Sequence, residues 1–463
     1  MGHFACEQAP LPSIRVPKRP THRHTLSPDD WFDRDHLNMI AMPMRSNRIR
    51  YTLTNHRILA PMNNSQSAAH SSSNRTARQM VSCRCPAWGE EILLQSNVRP
   101  SPLHLRLLCP PEPSTASAGL LIVHGMNEYI GHYRDIASFF APDFIVGGMD
   151  LCAHGLTNPT LFDADRAIAN GAEASDVSDA FLAQSELRDL GPMRADLDQA
   201  LRHLIERLDA EQTTETANKR PVIILAHSLG GLVAASYLLE TTGDDDPRGR
   251  VAGVVLCGPA FSVPELPISG IKGKLQNGLI RFSFEAHELG SRPWSGLQAA
   301  RAGKQAGAFL AALLIDGIFK LLSLPGLRRI FTPTTPDWIV DTLTDWPEER
   351  ARHRADNYII RRTLLTFVTA VEREIIAFRR RMIHFDVPYL LIYSGKDPIT
   401  PAWGNLDFAA LTRDRHPDNQ VIPLQDKSHH EHLFSAPPLR EELLISIGEW
   451  MKQRVGRSDV KRR

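Results

Sequence analysis

The stretch VIILAHSLGGLVAASYLLE, residues 222–240, constrains this chain more than any other. It reads as an apolar strand, a tight turn Ala226-His227-Ser228-Leu229-Gly230-Gly231, and a helix. A continuous Val/Ile/Leu run suits a strand buried on both faces, which requires a sheet with helices on either side. A strand-to-helix turn this tight needs small residues two positions either side of its centre, because larger side chains collide there. Ala226 and Gly230 meet that demand. Ser228 then stands at the C-terminal end of a strand and the N-terminus of a helix, where free backbone N–H groups favour developing negative charge. An ordinary Ser in a βα turn is the bland alternative, and the strand–turn–helix context argues against it.

The same rhythm runs through the rest of the chain from about residue 87. Strands are predicted at 90–96, 103–109, 119–125, 144–150, 222–228, 251–258, 389–395 and 419–425, most of them continuous apolar runs. Helices with apolar residues three and four apart are predicted at 132–141, 193–208, 229–240 and 439–454. The expectation is an α/β fold with an eight-stranded, mostly parallel sheet flanked by helices. Between the sixth and seventh strands more than a hundred residues read as helices and loops, which predicts a helical cap inserted after the sixth strand. The predicted organisation is an extension at 1–86, a first core segment at 87–262, the cap at 263–385, a second core segment at 386–456 and a basic tail at 457–463. Residues 1–86 are rich in Pro, Ser, Asn, His and Arg without apolar period, so disorder is expected there.

A serine nucleophile is inert without a base, and the base needs an orienting carboxylate. Both follow in chain order. Asp397 lies in SGKDPITP after the strand at 389–395, and the histidines of KSHHEHLF follow the last strand. The order Ser, acid, His, each on a loop after a successive strand, is the arrangement that places three side chains at one sheet edge. Spacing alone does not choose among His429, His430 and His432. The Leu229 N–H, directly after the nucleophile, and the Met126 N–H, in the loop closing GLLIVHG, are the expected oxyanion donors. A solvated or adventitiously metal-binding cluster is the bland alternative for these histidines, and the chemistry itself requires no metal or organic cofactor.

Composition narrows the partners. A formal net charge of +1 gives no global field for steering nucleic acid. Six cysteines in 463 residues make no dense disulfide framework, which points to a reducing compartment. The first residues lack the apolar core of a signal peptide and no uninterrupted apolar run reaches membrane-spanning length, so a cytoplasmic protein is expected. Residues 36–89 carry Arg but no acidic residue, a composition also compatible with organelle targeting.

From about 118 to 455 the motifs resemble the monoacylglycerol lipase and lysophospholipase branch of the α/β-hydrolases, the serine aminopeptidase S33-like proteins. HGMNEYIGHY resembles that family's HGxxEHxxRY, MDLCAHGLT its DxxGHGxS, AHSLGG its GHSMGG, SGKDPITP its acid loop, and HHEHLF its His-Glu loop. The resemblance implies an α/β-hydrolase fold, His430 as the base because Glu431 follows it, Asp150 as a structural turn residue, and a lipid carboxylic ester as substrate. Departures are Ala226, Ala153 and Asn127 in place of Gly, and a long polar insertion at about 158–190. An acyltransferase using the same acyl-enzyme and a non-catalytic binding protein of this fold are the rival readings. The apolar cap stretch 307–331, interrupted by Asp316 and Lys320 and broken at Pro325, is expected to line an acyl-chain tunnel or to rest on a membrane surface.

Overall fold

The computed structural model describes residues 78–461 apart from 212–218, 241–245, 269, 293–298, 333 and 428. Expectations for residues 1–77 therefore lie outside the described residues.

The eight strands of the main sheet are β1 (Glu90–Leu94), β2 (Leu103–Leu108), β3 (Ala118–Val123), β4 (Phe144–Met149), β5 (Val222–His227), β6 (Val251–Cys257), β7 (Tyr389–Ser394) and β8 (Gln420–Leu424). Their spatial order is β1-β2-β4-β3-β5-β6-β7-β8. β2 runs antiparallel to both β1 and β4; all other pairs are parallel. Each predicted strand coincides with one of these within two residues.

Strands β3 and β5 show why continuous apolar runs were needed. Leu121, Val123, Val222, Ile224 and Ala226 enter one core, while Leu120, Ile122, Ile223 and Leu225 enter another on the opposite face. The first core is closed by α3 (Gly191–Ala210), α4 (Ser228–Leu238), α10 (Leu365–Arg381) and α11 (Ala402–Thr412), the second by α1 (Arg134–Phe140) and α12 (Leu439–Lys461). Burial of each large apolar side chain contributes about 1.5–3 kcal/mol, so a strand contributing to both cores has little freedom to slip. The residues predicted to be a basic tail continue α12 to Lys461.

The polar insertion is an ordered unit. Residues 158–190 form α2 (Pro159–Ala169), a short strand Ser175–Asp176 and a helical turn Ala180–Glu186. Asn158 caps α2, accepting from Thr160 N at 3.0 Å, and its amide donates to the carbonyls of Ala153 and Ala180 at 2.8 Å. Ser175–Asp176 pairs antiparallel with Met80–Val81. Buried Asp165 accepts from Cys85 N at 2.7 Å and from the Tyr358 hydroxyl at 3.2 Å. Residues 78–86, assigned by composition to the extension, are thus ordered: sparse apolar residues such as Val81 and Cys85 find partners that a local sequence window does not contain.

Between β6 and β7 lie α5 (Gly270–Gly290), α6 (Ala299–Leu322), α7 (Arg328–Phe331), α8 (Asp337–Leu343), α9 (Pro347–Ala355) and α10. The five cysteines among the described residues are unpaired, including neighbouring Cys83 and Cys85.

Candidate active site

The order of strands reverses between β3 and β5: from β3 the chain moves outward to β4, then returns to the other side of β3 as β5. Loops leaving the C-terminal ends of two such strands diverge, and the crevice between them is where open α/β sheets place their ligands. Here those loops carry Gly125-Met126 and Ser228.

Ser228 adopts φ +50°, a left-handed conformation that a side-chain-bearing residue holds only under constraint from its surroundings. The constraint is visible at Gly230. A Cβ there would stand 2.4 Å from the His124 carbonyl oxygen and 2.5 Å from that of Val123, so only glycine lets α4 start this close to β3. Gly125 serves the facing loop: a Cβ on it would fall 3.1 Å from Ser228 Cβ. Met126 follows directly and is half-buried; Leu229 lies in the first turn of α4, where backbone N–H groups have no acceptor within the helix. The two expected donors thus flank the serine from two elements.

The His430 Nε2 stands 2.8 Å from Ser228 Oγ, and its Nδ1 stands 2.7 Å from Asp397 Oδ2. Asp397 is itself saturated. Its Oδ1 accepts from Ile399 N at 2.7 Å and Thr400 N at 3.1 Å, and its Oδ2 accepts from the Thr400 hydroxyl at 2.8 Å. Burial alone would raise the Asp397 carboxyl, but the neighbouring His430 and these donors overcome that and hold it well below the usual carboxylate range. The imidazole is therefore gripped by an ionised partner in one orientation.

The other two histidines are elsewhere. His432 is fully buried, bonded through Nε2 to Ser394 Oγ at 2.8 Å, and burial lowers it to about 3, so it is neutral and occupied. His429 is half-buried, its pKa lowered chiefly by burial, and has no bond to Ser228 or Asp397.

A further group of buried polar side chains supports the loop after β3, and sequence reasoning did not find it. Glu128 accepts from Gly125 N at 3.2 Å and from the Tyr133 hydroxyl at 2.6 Å, and lies 3.0 Å from His227 Nδ1. Burial would raise the Glu128 carboxyl; the charge of His227 and its hydrogen bond reverse this and hold it low. Glu431, beside the His430 backbone, is pushed well above its ordinary value by burial and by the charges of Glu128 and Glu349. Asp150 holds the next turn, accepting from Ile130 N and Leu156 N at 2.7 and 2.8 Å, as expected for a structural turn residue. Ala153 nearby keeps φ +65° where glycine would be at ease, at a cost of about 1–2 kcal/mol.

All three side chains Ser228, Asp397 and His430 are buried. The cap covers them: the carbonyl oxygens of Thr342 and Leu343, ending α8, accept from His430 N at 3.1 Å and Glu431 N at 2.7 Å. A separate cavity of about 330 Å³ lies between α5, α6 and α10, lined by Phe309, Ala312, Leu313 and Ile376 among others. No residue of the Ser228 cluster borders it. Among the described residues no cluster of His, Cys, Asp and Glu has metal-binding geometry.

A doubly wound sheet with a strained serine at its central βα turn, backed by histidine and aspartate, defines a serine hydrolase of the α/β-hydrolase fold. The family model of Hydrolase_4, described as serine aminopeptidase S33, matches residues 114–434, and the chain belongs to that family. Among solved structures it resembles a soluble variant of monoglyceride lipase from Saccharomyces cerevisiae, at 12% identity and a TM-score of 0.52 over 79% of this chain and 96% of that one. It also resembles the Paleococcus ferrophilus monoacylglycerol lipase, at 16% identity and TM-score 0.47 over 76% and 99% of the two chains. A thermostable carboxyl esterase from Bacillus coagulans matches at 17% identity and TM-score 0.47 over 80% and 100%. At such identities the likeness concerns the fold. No curated protein matches the chain.

Proposed function

We propose that this chain hydrolyses carboxylic esters of lipids, of the monoacylglycerol or lysophospholipid type, through an acyl-enzyme on Ser228. The observation that carries the reading is the unbroken hydrogen-bonded series from Ser228 Oγ through both His430 nitrogens to Asp397, at 2.8 and 2.7 Å. His430 Nε2 takes the hydroxyl proton as Oγ attacks the ester carbonyl, and the charged imidazole is stabilised by Asp397. The carbonyl oxygen, now negative, is held by the N–H groups of Met126 and Leu229. His430 then gives the proton to the departing alcohol. A water molecule, deprotonated by the same nitrogen, releases the acid and restores Ser228.

The apolar surface of the cap supports a lipid substrate. Leu310, Leu314, Ile318 and Leu321 form one exposed stripe on α6, and Ile271, Leu275, Leu279 and Phe282 form another on α5, which packs against it. Leu275 and Leu314 are 73% and 66% exposed, in a surface far more apolar than water favours. One acidic residue of α6, Asp316, turns inward and pairs with Arg373 at 3.2 Å. Lys274, Arg281, Lys304 and Lys320 stand exposed on the same two helices, suited to lipid phosphates. The cap is proposed to rest on a membrane surface and take its ester from there.

Two measurements test these readings. Hydrolysis of p-nitrophenyl esters from acetate to palmitate, run beside aminoacyl p-nitroanilides, is expected to show turnover of esters, faster for medium and long chains, and none of anilides; the reverse pattern makes the chain a peptidase. Leu310, Leu314 and Ile318 changed together to Gln are expected to abolish co-sedimentation with anionic phospholipid vesicles while p-nitrophenyl butyrate turnover persists. Unchanged sedimentation defeats the membrane reading.

A further inference from the structure

Two of the chain's departures from the lipase pattern meet in space. Asn127 stands where the pattern has glycine, next to Met126 in the loop after β3, and holds φ +64°. Gln184 belongs to the inserted segment 158–190 and is fully buried. Its Nε2 donates to Asn127 Oδ1 at 3.1 Å. The other ends of both amides reach residues 356–364, the strap that joins α9 to α10. Asn127 Nδ2 donates to Thr363 Oγ1 at 2.8 Å, and its carbonyl accepts from Ile360 N at 3.1 Å. Gln184 Oε1 accepts from Leu364 N at 2.9 Å, and its Nε2 also approaches the Arg362 carbonyl at 3.5 Å.

We propose that Asn127 and Gln184 are positioning residues that make docking of the cap strap and setting of the oxyanion loop a single event. This rests on the hydrolase reading above. Glycine at position 127 would reach φ +64° without strain but would leave that conformation one among many. Asn reaches it with a small penalty and is then tied at its side-chain oxygen, its side-chain nitrogen and its carbonyl. All four hydrogen bonds made by this pair to the strap disappear if the strap lifts, leaving the buried Gln184 amide with its oxygen unmet and only Asn127 as a partner for its nitrogen. The closed strap therefore fixes the backbone one residue from the Met126 N–H, and an open strap releases it. Neither Asn127 nor Gln184 touches Ser228; both act through the loop.

The test is a double-mutant cycle on the full chain with Asn127→Gly, Gln184→Leu and the double variant. Each is read by kcat and KM for p-nitrophenyl butyrate, by fluorophosphonate labelling rate, and by trypsin cleavage after Arg361 and Arg362. Each single variant is expected to lose roughly 10-fold in kcat, short of the ~10²–10³-fold that removing an oxyanion donor costs, with KM nearly unchanged. The double variant is expected to lose no more than the worse single, and strap cleavage to accelerate in all three. If Gln184→Leu does not fold, Thr363→Val replaces it in the cycle. Wild-type kcat in the folded variants, or losses that simply multiply, overturn the proposal while leaving the hydrolase reading intact. Wild-type protein that is folded yet unlabelled overturns the hydrolase reading and the proposal with it.

Discussion

Replacing Ser228 by Ala is expected to lower kcat for a p-nitrophenyl ester by about 10⁶-fold and to abolish fluorophosphonate labelling, with KM changed little. The size follows from the way the three side chains act: removing the nucleophile of a Ser-His-acid relay costs nearly as much as removing the whole relay, because the base then has no proton to take. Residual turnover would come from substrate binding and the Met126 and Leu229 N–H groups alone. The variant is expected to fold. Ala loses one hydrogen bond to His430 and keeps the φ +50° that α4 and Gly230 impose, so the melting temperature should move by only a few degrees. Rates within 100-fold of wild type in the folded variant would mean that the ester is cleaved by some other group, and the proposed mechanism would fall.

The sheet was legible in the sequence because its central strands enter two cores at once: a run such as VIILAH has no reading as an exposed element, and such runs are separated by Gly, Pro and Asp punctuation, with only the edge strands β1 and β8 partly exposed. The position of Ser228 was legible because steric demand on Ala226 and Gly230 is local. His430 was a different matter. Its choice over His429 and His432 came from resemblance, since three histidines within four residues differ only in which strand-end group each meets: Ser228, nothing in the cluster, and Ser394. Groups whose importance lies in long-range contact left no local mark. Thr400 reaches the Gly258 carbonyl from a distant loop at 3.2 Å, and Glu128 meets His227 Nδ1 at 3.0 Å. The segment 158–190 read only as a polar insertion for the same reason. Its polar residues Asn158, Asp165 and Gln184 are buried because partners from positions 84, 85, 127, 153 and 358–364 converge on them.

Asp397→Asn is expected to lower kcat by about 10⁴-fold while leaving the fold in place. The carboxylate uses both oxygens, Oδ1 on the backbone N–H groups of Ile399 and Thr400 and Oδ2 on the Thr400 hydroxyl and His430 Nδ1. Asparagine has one oxygen for these two faces. Turning its NH₂ toward two fixed backbone donors sets like against like, whereas the Thr400 hydroxyl can rotate and His430 can change tautomer. The oxygen therefore stays with the backbone and the NH₂ faces His430. Nδ1 must then accept, Nε2 carries the hydrogen, and the base presents a donor to Ser228 where an acceptor is needed. Labelling by fluorophosphonate should slow in parallel with kcat, whereas Ser228→Ala abolishes it. Stability should report the same change with a definite sign. A carboxyl held low in the folded state stabilises it above the ordinary carboxylate range and loses that contribution as pH falls through the folded value. The variant, with no such charge, should therefore lose less stability than wild type as the pH is lowered from 6 toward ~3. A kcat loss below 10-fold would show that His430 is oriented without Asp397, and the carboxylate would then be only a member of the turn before Pro398.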